Sequence, residues 1–242
     1  MYYYILESPG NRAIRQTYQK LRDLLTNLSI VGEIVSASPA RTPAELAEMG
    51  MSKGYSTIVA VGGDAHINEI ATAVIGRAVL GIIPIEAGPQ VSEIIGTNDI
   101  RDAAESLRRR KISLQNTVLI EPDTLIFLDG EIRTPKLAKA SLVIDNRVRA
   151  HAYFNSLIIN RSLEIKLRSI HLTEARKVLG IFNTGGKEVI SESLFHAKSL
   201  RLITDPILRL NVAGQPIAET PIQFRLIPES LKVITKRGTF LE

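Results

Sequence analysis

With 242 residues, 45% of them hydrophobic and 23% charged, the chain has enough apolar material for one large or two modest self-supporting domains, which excludes intrinsic disorder. It has no cysteine, so disulfides, zinc-thiolate centres and cysteine nucleophiles are excluded, and a cytoplasmic setting is expected. Thirty Lys and Arg against 25 Asp and Glu leave a mild +5 that favours anionic partners.

The start, MYYYILESPG, lacks the basic region and apolar core of a secretion signal, and no later run reaches the ~18 apolar residues of a spanning helix. A soluble protein is the expectation. Tyr2 to Glu7 reads as a strand, followed by a helix whose apolar stripe is Ile14, Tyr18, Leu21 and Leu25. Ile34 to Ser36 is a short strand. Thr42-Pro43-Ala44-Glu45 then combines an N-cap, a first-turn proline and a glutamate three residues after the cap, which predicts a helix start. Thr57 to Val61 is a buried strand ending at Gly62-Gly63, with a helix from about Ile67 to Ile75 after it and another buried strand at Val79 to Ile83. Asn98 or Asp99 caps a last helix carrying Ile100, Ala103, Ala104 and Leu107. That helix ends at Arg108-Arg109-Arg110-Lys111, where cations complement the helix dipole.

Beyond residue 120 the pattern changes to short β runs, including Ala140 to Ile144, Ser156 to Ile159, Ile207 to Val212 and Ile222 to Ile227. They are divided by turn signals at Asp129-Gly130, Asp145-Asn146, Thr184-Gly185-Gly186, Asp205-Pro206 and Ala213-Gly214. The organisation predicted is an α/β domain with a mostly parallel sheet over 1–120, then an all-β, sandwich-like domain over 121–242 whose last segment can return to the first.

The most informative segment is STIVAVGGDAHINEIATAVIG, residues 56–76. A buried strand leading through two glycines and an acid into a helix places free N–H groups and a helix dipole at the carboxyl edge of a sheet, an arrangement that binds phosphate. Asp64 there can hold magnesium through water or orient a hydroxyl. The same residues also suit a plain tight turn with a capping acid.

In this segment the chain resembles the diacylglycerol kinase catalytic-domain family, which includes bacterial lipid kinases and the sphingosine and ceramide kinases and is distantly related to NAD kinases. The family's strand-GGDGT-helix motif continuing into INE is matched by GGDAHINE, with Gly62, Gly63, Asp64, Asn68 and Glu69 in register. LGIIPIEAGPQVSEIIG is similar to the strand and PxGTxND-type loop that follow. LRLNVAGQPIAETPIQFRLIPESLKVIT is similar to the closing β strands. The resemblance implies an NAD kinase/diacylglycerol kinase-like fold and ATP-dependent, magnesium-assisted phosphoryl transfer to a lipid hydroxyl. It also implies nucleotide-binding positions at Ser8, Gly62, Gly63, Asp64, Ala65, His66, Asn68, Glu69, Glu86, Ala87 and Gly88, with Asp64 the candidate catalytic acid and water-mediated magnesium ligand.

Four loops depart from the family pattern. Ser8-Pro9-Gly10 stands where Asn-Pro is usual, and Ala65 and His66 replace the glycine and threonine of GGDGT. In the next loop Glu86, Ala87, Pro89 and Gln90 fall on the glycine, threonine, asparagine and aspartate positions. Ala213-Gly214-Gln215 replaces an Asp-Gly-Glu turn, and the Asp129-Gly130-Glu131 that does occur reads as a hairpin tip. His66 either contacts a phosphate or fills the space left by threonine. Glu86 points to the ligand, to solvent or to a cation.

The expectation is therefore a lipid-kinase-family protein with lost or reduced transfer, the alternatives being an active kinase with variant loops or an NAD-kinase-like enzyme. Magnesium and ATP are its cofactors if it is active, and otherwise there are none. Nucleotide, lipid, transient membrane-surface contact and a homodimer are compatible partners, whereas nucleic acid is not expected. His66, His151, His171 and His196 show no ligand spacing, and Asn183 to Lys187 reads as a hairpin turn.

Overall fold

The computed structural model describes residues 1–30, 32–172, 177–178, 182–183 and 188–237. The expected turn at Thr184-Gly185-Gly186 and its neighbour Lys187 lie outside the described residues. The chain divides into two compact units, one formed by Met1–Thr117 together with the stretch from Ile227, the other by Val118–Leu226.

In the first unit strands and helices alternate: β1 (Tyr2–Leu6), α1 (Arg12–Asn27), β2 (Gly32–Ser36), α2 (Pro43–Ser52), β3 (Thr57–Gly62), α3 (Asp64–Val74), β4 (Val79–Pro84), α4 (Pro89–Ile95) and α5 (Ile100–Arg109). The sheet order is β2-β1-β3-β4, every pairing is parallel, and Lys232 and Val233 of the closing strand add in parallel beside Val79 and Leu80. Parallel strands buried on both faces explain the unbroken apolar runs: all of β3 is buried, and β4 is buried from Leu80.

One face of the sheet packs α1 through Tyr18, Leu21 and Leu25, and α5 through Ala103, Ala104 and Leu107, against Tyr4, Leu6, Val59, Val61 and Ile83. Burying side chains of this size stabilises by about 1.5–3 kcal/mol each. α2 packs on α3 and on β1, where Gly50 lies so close to Tyr3 and Ile58 that a Cβ would approach them to 2.6 and 2.9 Å.

Helix starts follow their caps. Asn11 accepts from the Ile14 N–H, Thr42 and Glu45 complete a capping box behind Pro43, and Asp99 caps α5 by accepting from the Asp102 N–H. Two elements differ from the sequence reading. α3 begins at Asp64, so Asp64, Ala65 and His66 lie in its first turn instead of in a loop. The short α4 stands where the sequence resemblance implies a loop, and Pro89 in its first turn and Gly96 in a left-handed C-cap bracket it.

The second unit contains the strand-rich part: the end of β5 (Ile112–Ile120), β6 (Thr124–Ile126), β7 (Gly130–Ile144), β8 (Val148–Ile159), β9 (Glu164–Leu172), the short pair β10 (Lys177–Val178) and β11 (Phe182–Asn183), β12 (Glu188–His196), β13 (Ser199–Asp205), β14 (Arg209–Val212), β15 (Gln215–Glu219) and the first half of β16 (Ile222–Ile234). The main order is β12-β9-β8-β7-β13-β16 with antiparallel pairings. Asp145-Asn146 and Ala213-Gly214 turn their hairpins with positive φ at both central residues, as a type I′ turn requires. Asp129-Gly130 is no hairpin tip, because Gly130 opens β7 and pairs with Ile159 and Val212. β14 begins only at Arg209, leaving Ile207 exposed ahead of it.

Candidate nucleotide site at the carboxyl edge of the parallel sheet

The order β2-β1-β3 places a topological switch point between the carboxyl ends of β1 and β3, where the connections depart to opposite sides and a crevice for ligands opens in folds of this kind. Leu6 pairs with Val61, so the residues next in line are Glu7 and Gly62. The Glu7 N–H donates to Val61 O at 2.9 Å and carries the β1 ladder one step further.

That register turns the Glu7 side chain onto the glycine loop, and its Oε2 accepts from the Gly63 N–H at 2.8 Å. Gly63 is the N-cap of α3 and offers no side chain of its own. The carboxylate therefore takes the N-cap N–H, as the N3 acid of a capping box does, at the positive end of the helix dipole. A hydrogen bond from a backbone N–H to a carboxylate contributes about 1.5–3 kcal/mol. Gly62 is needed for the approach, since a Cβ there would meet Glu7 Oε2 at 2.5 Å. The neighbouring loop repeats the device. Asp64 Oδ1 accepts from the Gly88 N–H at 2.7 Å, and a Cβ on Gly88 would come within 2.6 Å of Asp64 Oδ2.

The other positions singled out in the sequence fall around these two contacts. His66 is 4% exposed and its Nε2 lies 2.9 Å from Ile5 O, so the ring is held against β1. Burial lowers its pKa, opposed by the Ile5 carbonyl and by the carboxylates of Glu7 and Glu69. Glu69 Oε1 accepts from the Ala44 N–H at 3.2 Å and so braces the start of α2. Ala65, Asn68, Ala87 and Gly88 are half-buried, whereas Ser8 is exposed beyond the end of β1. Glu86 is exposed and holds φ at 56°, the left-handed region that glycine adopts without strain.

Two residues of this edge were not singled out as site residues from sequence. Glu7 was read only as the end of a strand, and its reach to Gly63 depends on the strand order. Tyr18 was read only as apolar stripe, yet its hydroxyl donates to Glu7 O at 2.8 Å. Burial first, then the charges of Glu7 and Glu86, push its pKa up to about 12. Glu7, Asp64 and Glu86 thus gather negative charge at the loops, and none of them has a Lys, Arg or His partner within ion-pair distance among the described residues. Nor, among the described residues, do three or more His, Asp or Glu side chains converge as a metal cluster.

Residues 5–118 match the diacylglycerol kinase catalytic domain, and the edge just described lies inside that span. A probable lipid kinase, YegS-like, from Serratia proteamaculans is 37% identical over 81 residues, an alignment spanning 31% of this chain and 25% of that protein. A diacylglycerol kinase structure from Bacillus anthracis superposes with a TM-score of 0.73 at 14% identity, over 98% of this chain and 96% of that one. An ATP-bound NAD kinase from Archaeoglobus fulgidus gives 0.55 at 12% identity, over 98% and 94%. At such identities the two structures establish the fold alone, which is of the diacylglycerol kinase and NAD kinase type. Among the described residues no helix is long and apolar enough to cross a membrane.

Proposed function

We propose that this chain is a lipid-kinase-family protein in which ATP-dependent phosphoryl transfer to a lipid hydroxyl is lost or strongly reduced. The observation that carries the reading is the pair of internal carboxylates on the loop amides: Glu7 on the Gly63 N–H and Asp64 on the Gly88 N–H. In a phosphate-binding loop such N–H groups face the ligand, and phosphoryl transfer depends on positioning and charge stabilisation supplied by them. Here they are already satisfied by the protein's own anions. A nucleotide phosphate would have to displace both carboxylates, and a retained carboxylate ~4 Å from a phosphate charge costs about 4 kcal/mol at an effective dielectric near 20. On this reading the residues present do not fit a magnesium nucleotide.

Titration with Mg-ATP, read by calorimetry and by thermal shift, tests this. The unmodified protein is expected to gain no stability at millimolar nucleotide, whereas a ligand present at 100 times its Kd adds ~2.7 kcal/mol. Saturable binding of Mg-ATP would overturn the reading in favour of an active kinase with Asp64 as its acid. A second chain carrying Glu7→Gln, Ala65→Gly, His66→Thr, Glu86→Gly and Ala87→Thr removes the Glu7 and Glu86 charges and puts the Gly-Thr pair of the resembled family into both loops. It is expected to bind where the unmodified chain does not.

A further inference from the structure

The second unit carries a cluster of cations that make no ion pair among the described residues. Along β7, β8, β13 and β16 the inward positions are buried, among them Ala140, Leu142, Phe154, Leu202 and Phe224. The alternate positions face outward, and the register sets them in rows. Arg149 on β8 lies beside Val143 on β7, which lies beside Arg201 on β13, which lies beside Gln223 on β16. The next row is His151, Ser141 and Ile203, the one after it Tyr153, Lys139 and Asp205, and on the far side Arg225 stands beside Ser199. With strands ~4.8 Å apart and rows ~7 Å apart, Lys139, Arg149, Arg201 and Arg225 share a face roughly 15 by 20 Å.

All four are exposed, and none makes an ion pair among the described residues. Further along the strands the situation reverses: Arg133 pairs with Glu131, and Lys166 and Arg168 pair with Glu192. Acids near the unpaired cations are few. Asp205 lies opposite Lys139, Asp145 is taken up by the Lys198 and Ser199 N–H groups beside Arg225, and Glu121 borders a shallow depression with Gln223 and Arg225. Among these cations stand two bare apolar side chains, Tyr153 at 65% and Ile203 at 39% exposure.

We infer that this face of the second unit docks on a bilayer containing anionic phospholipid, with Lys139, Arg149, Arg201 and Arg225 over the headgroups and Tyr153 and Ile203 entering the interface. Charge complementarity selects an anionic partner, since each Lys or Arg near such a surface is worth about 1 kcal/mol. The apolar pair selects lipid over nucleic acid. One tyrosine gives no succession of stacking platforms for bases, whereas Tyr and Ile beside long cationic side chains suit the boundary between headgroups and acyl chains. The inference stands apart from the kinase reading, because it involves no nucleotide.

Co-sedimentation of the full chain with vesicles decides it. Binding to phosphatidylcholine vesicles containing about one-third phosphatidylglycerol is expected, with little to phosphatidylcholine alone, and it should weaken as salt shortens the Debye length. Arg149→Gln together with Arg201→Gln should lower the partition coefficient about 25-fold, about fivefold per arginine. Lys166→Gln, at a paired position, should change it less than twofold, and unchanged thermal midpoints should accompany both. Salt-independent or equal binding to neutral vesicles would overturn the inference, as would full retention by the double variant. So would tighter binding to a single-stranded oligonucleotide than to the anionic vesicles at the same salt.

Discussion

Two helices of the first unit begin in opposite ways. α2 is capped by its own neighbours: Thr42 Oγ1 accepts from the Glu45 N–H, Glu45 Oε2 accepts in turn from the Thr42 N–H, and Pro43 fixes the first turn. α3 begins at a bare glycine with no side-chain cap, and the N–H of that glycine is taken by Glu7, 56 residues earlier in the chain. The first arrangement stabilises a helix and leaves nothing open. The second uses an internal anion at a helix start beside the topological switch point, so the same hydrogen bond supports the fold and, on the function proposed above, stands in the way of a ligand. Separating those two roles calls for changes at each end.

The largest effect should come from the remote cap. Glu7→Ala leaves the half-buried Gly63 N–H without its carboxylate, and the chain should lose about 2 kcal/mol in denaturant unfolding. A loss below a few tenths would mean that solvent replaces Glu7 freely and that the carboxylate is no obstacle to a ligand. Glu7→Gln, which keeps an accepting oxygen, should recover part of the loss.

Next comes His66, which joins α3 to β1 beneath the same edge. Its folded pKa lies below the unfolded value of about 6.5, so the unfolded chain takes up the proton first as pH falls. Its contribution is therefore complete above about pH 6.5 and is lost as pH drops toward the folded pKa, with a slope of at most ~1.4 kcal/mol per pH unit. Unfolding of the protein and of His66→Thr between pH 7.5 and about 5 should show the steeper loss only where His66 is present. Parallel profiles would mean that the imidazole stays as easily protonated folded as unfolded, its bond to Ile5 O fully offsetting its burial.

The local cap should matter less: Thr42→Ala is expected to cost about 1 kcal/mol, with no consequence for anion binding. If Glu7→Ala and Thr42→Ala proved equal in stability and equally silent toward phosphate, the distinction between the two helix starts would fail.

These contrasts also explain what could be read from the sequence. The capping box of α2, the all-apolar β3 and β4, the cap at Asp99 and the type I′ hairpin at Asp145-Asn146 are written in adjacent residues, and local chemistry fixes them. The glycine loop could be placed because strand, glycine pair and helix are contiguous. Glu7 could not, because the contact to Gly63 exists only once β1 is known to lie beside β3. The same holds for the cation rows of the second unit, where Arg149 and Arg201 meet across a strand that separates them in space and 51 intervening positions in sequence. α4 escaped for a different reason: seven residues carry too short a stretch of periodicity to stand out from a loop.

The smallest effect has the opposite sign. Glu86, which the sequence resemblance sets on a glycine position, holds a glycine-like φ of 56°. A non-glycine residue in that region is strained by about 1 kcal/mol, and glycine's larger unfolded-state entropy offsets part of the relief. Glu86→Gly is therefore expected to stabilise the chain by about 0.5 kcal/mol. The variant also removes one of the three carboxylates at the edge, so phosphate affinity and stability should rise together. Destabilisation instead would mean that the glutamate side chain makes a contact outweighing its backbone strain. The loop would then be adapted to its present sequence, and the Glu7 carboxylate would remain as the principal barrier to an anion at the α3 N-terminus.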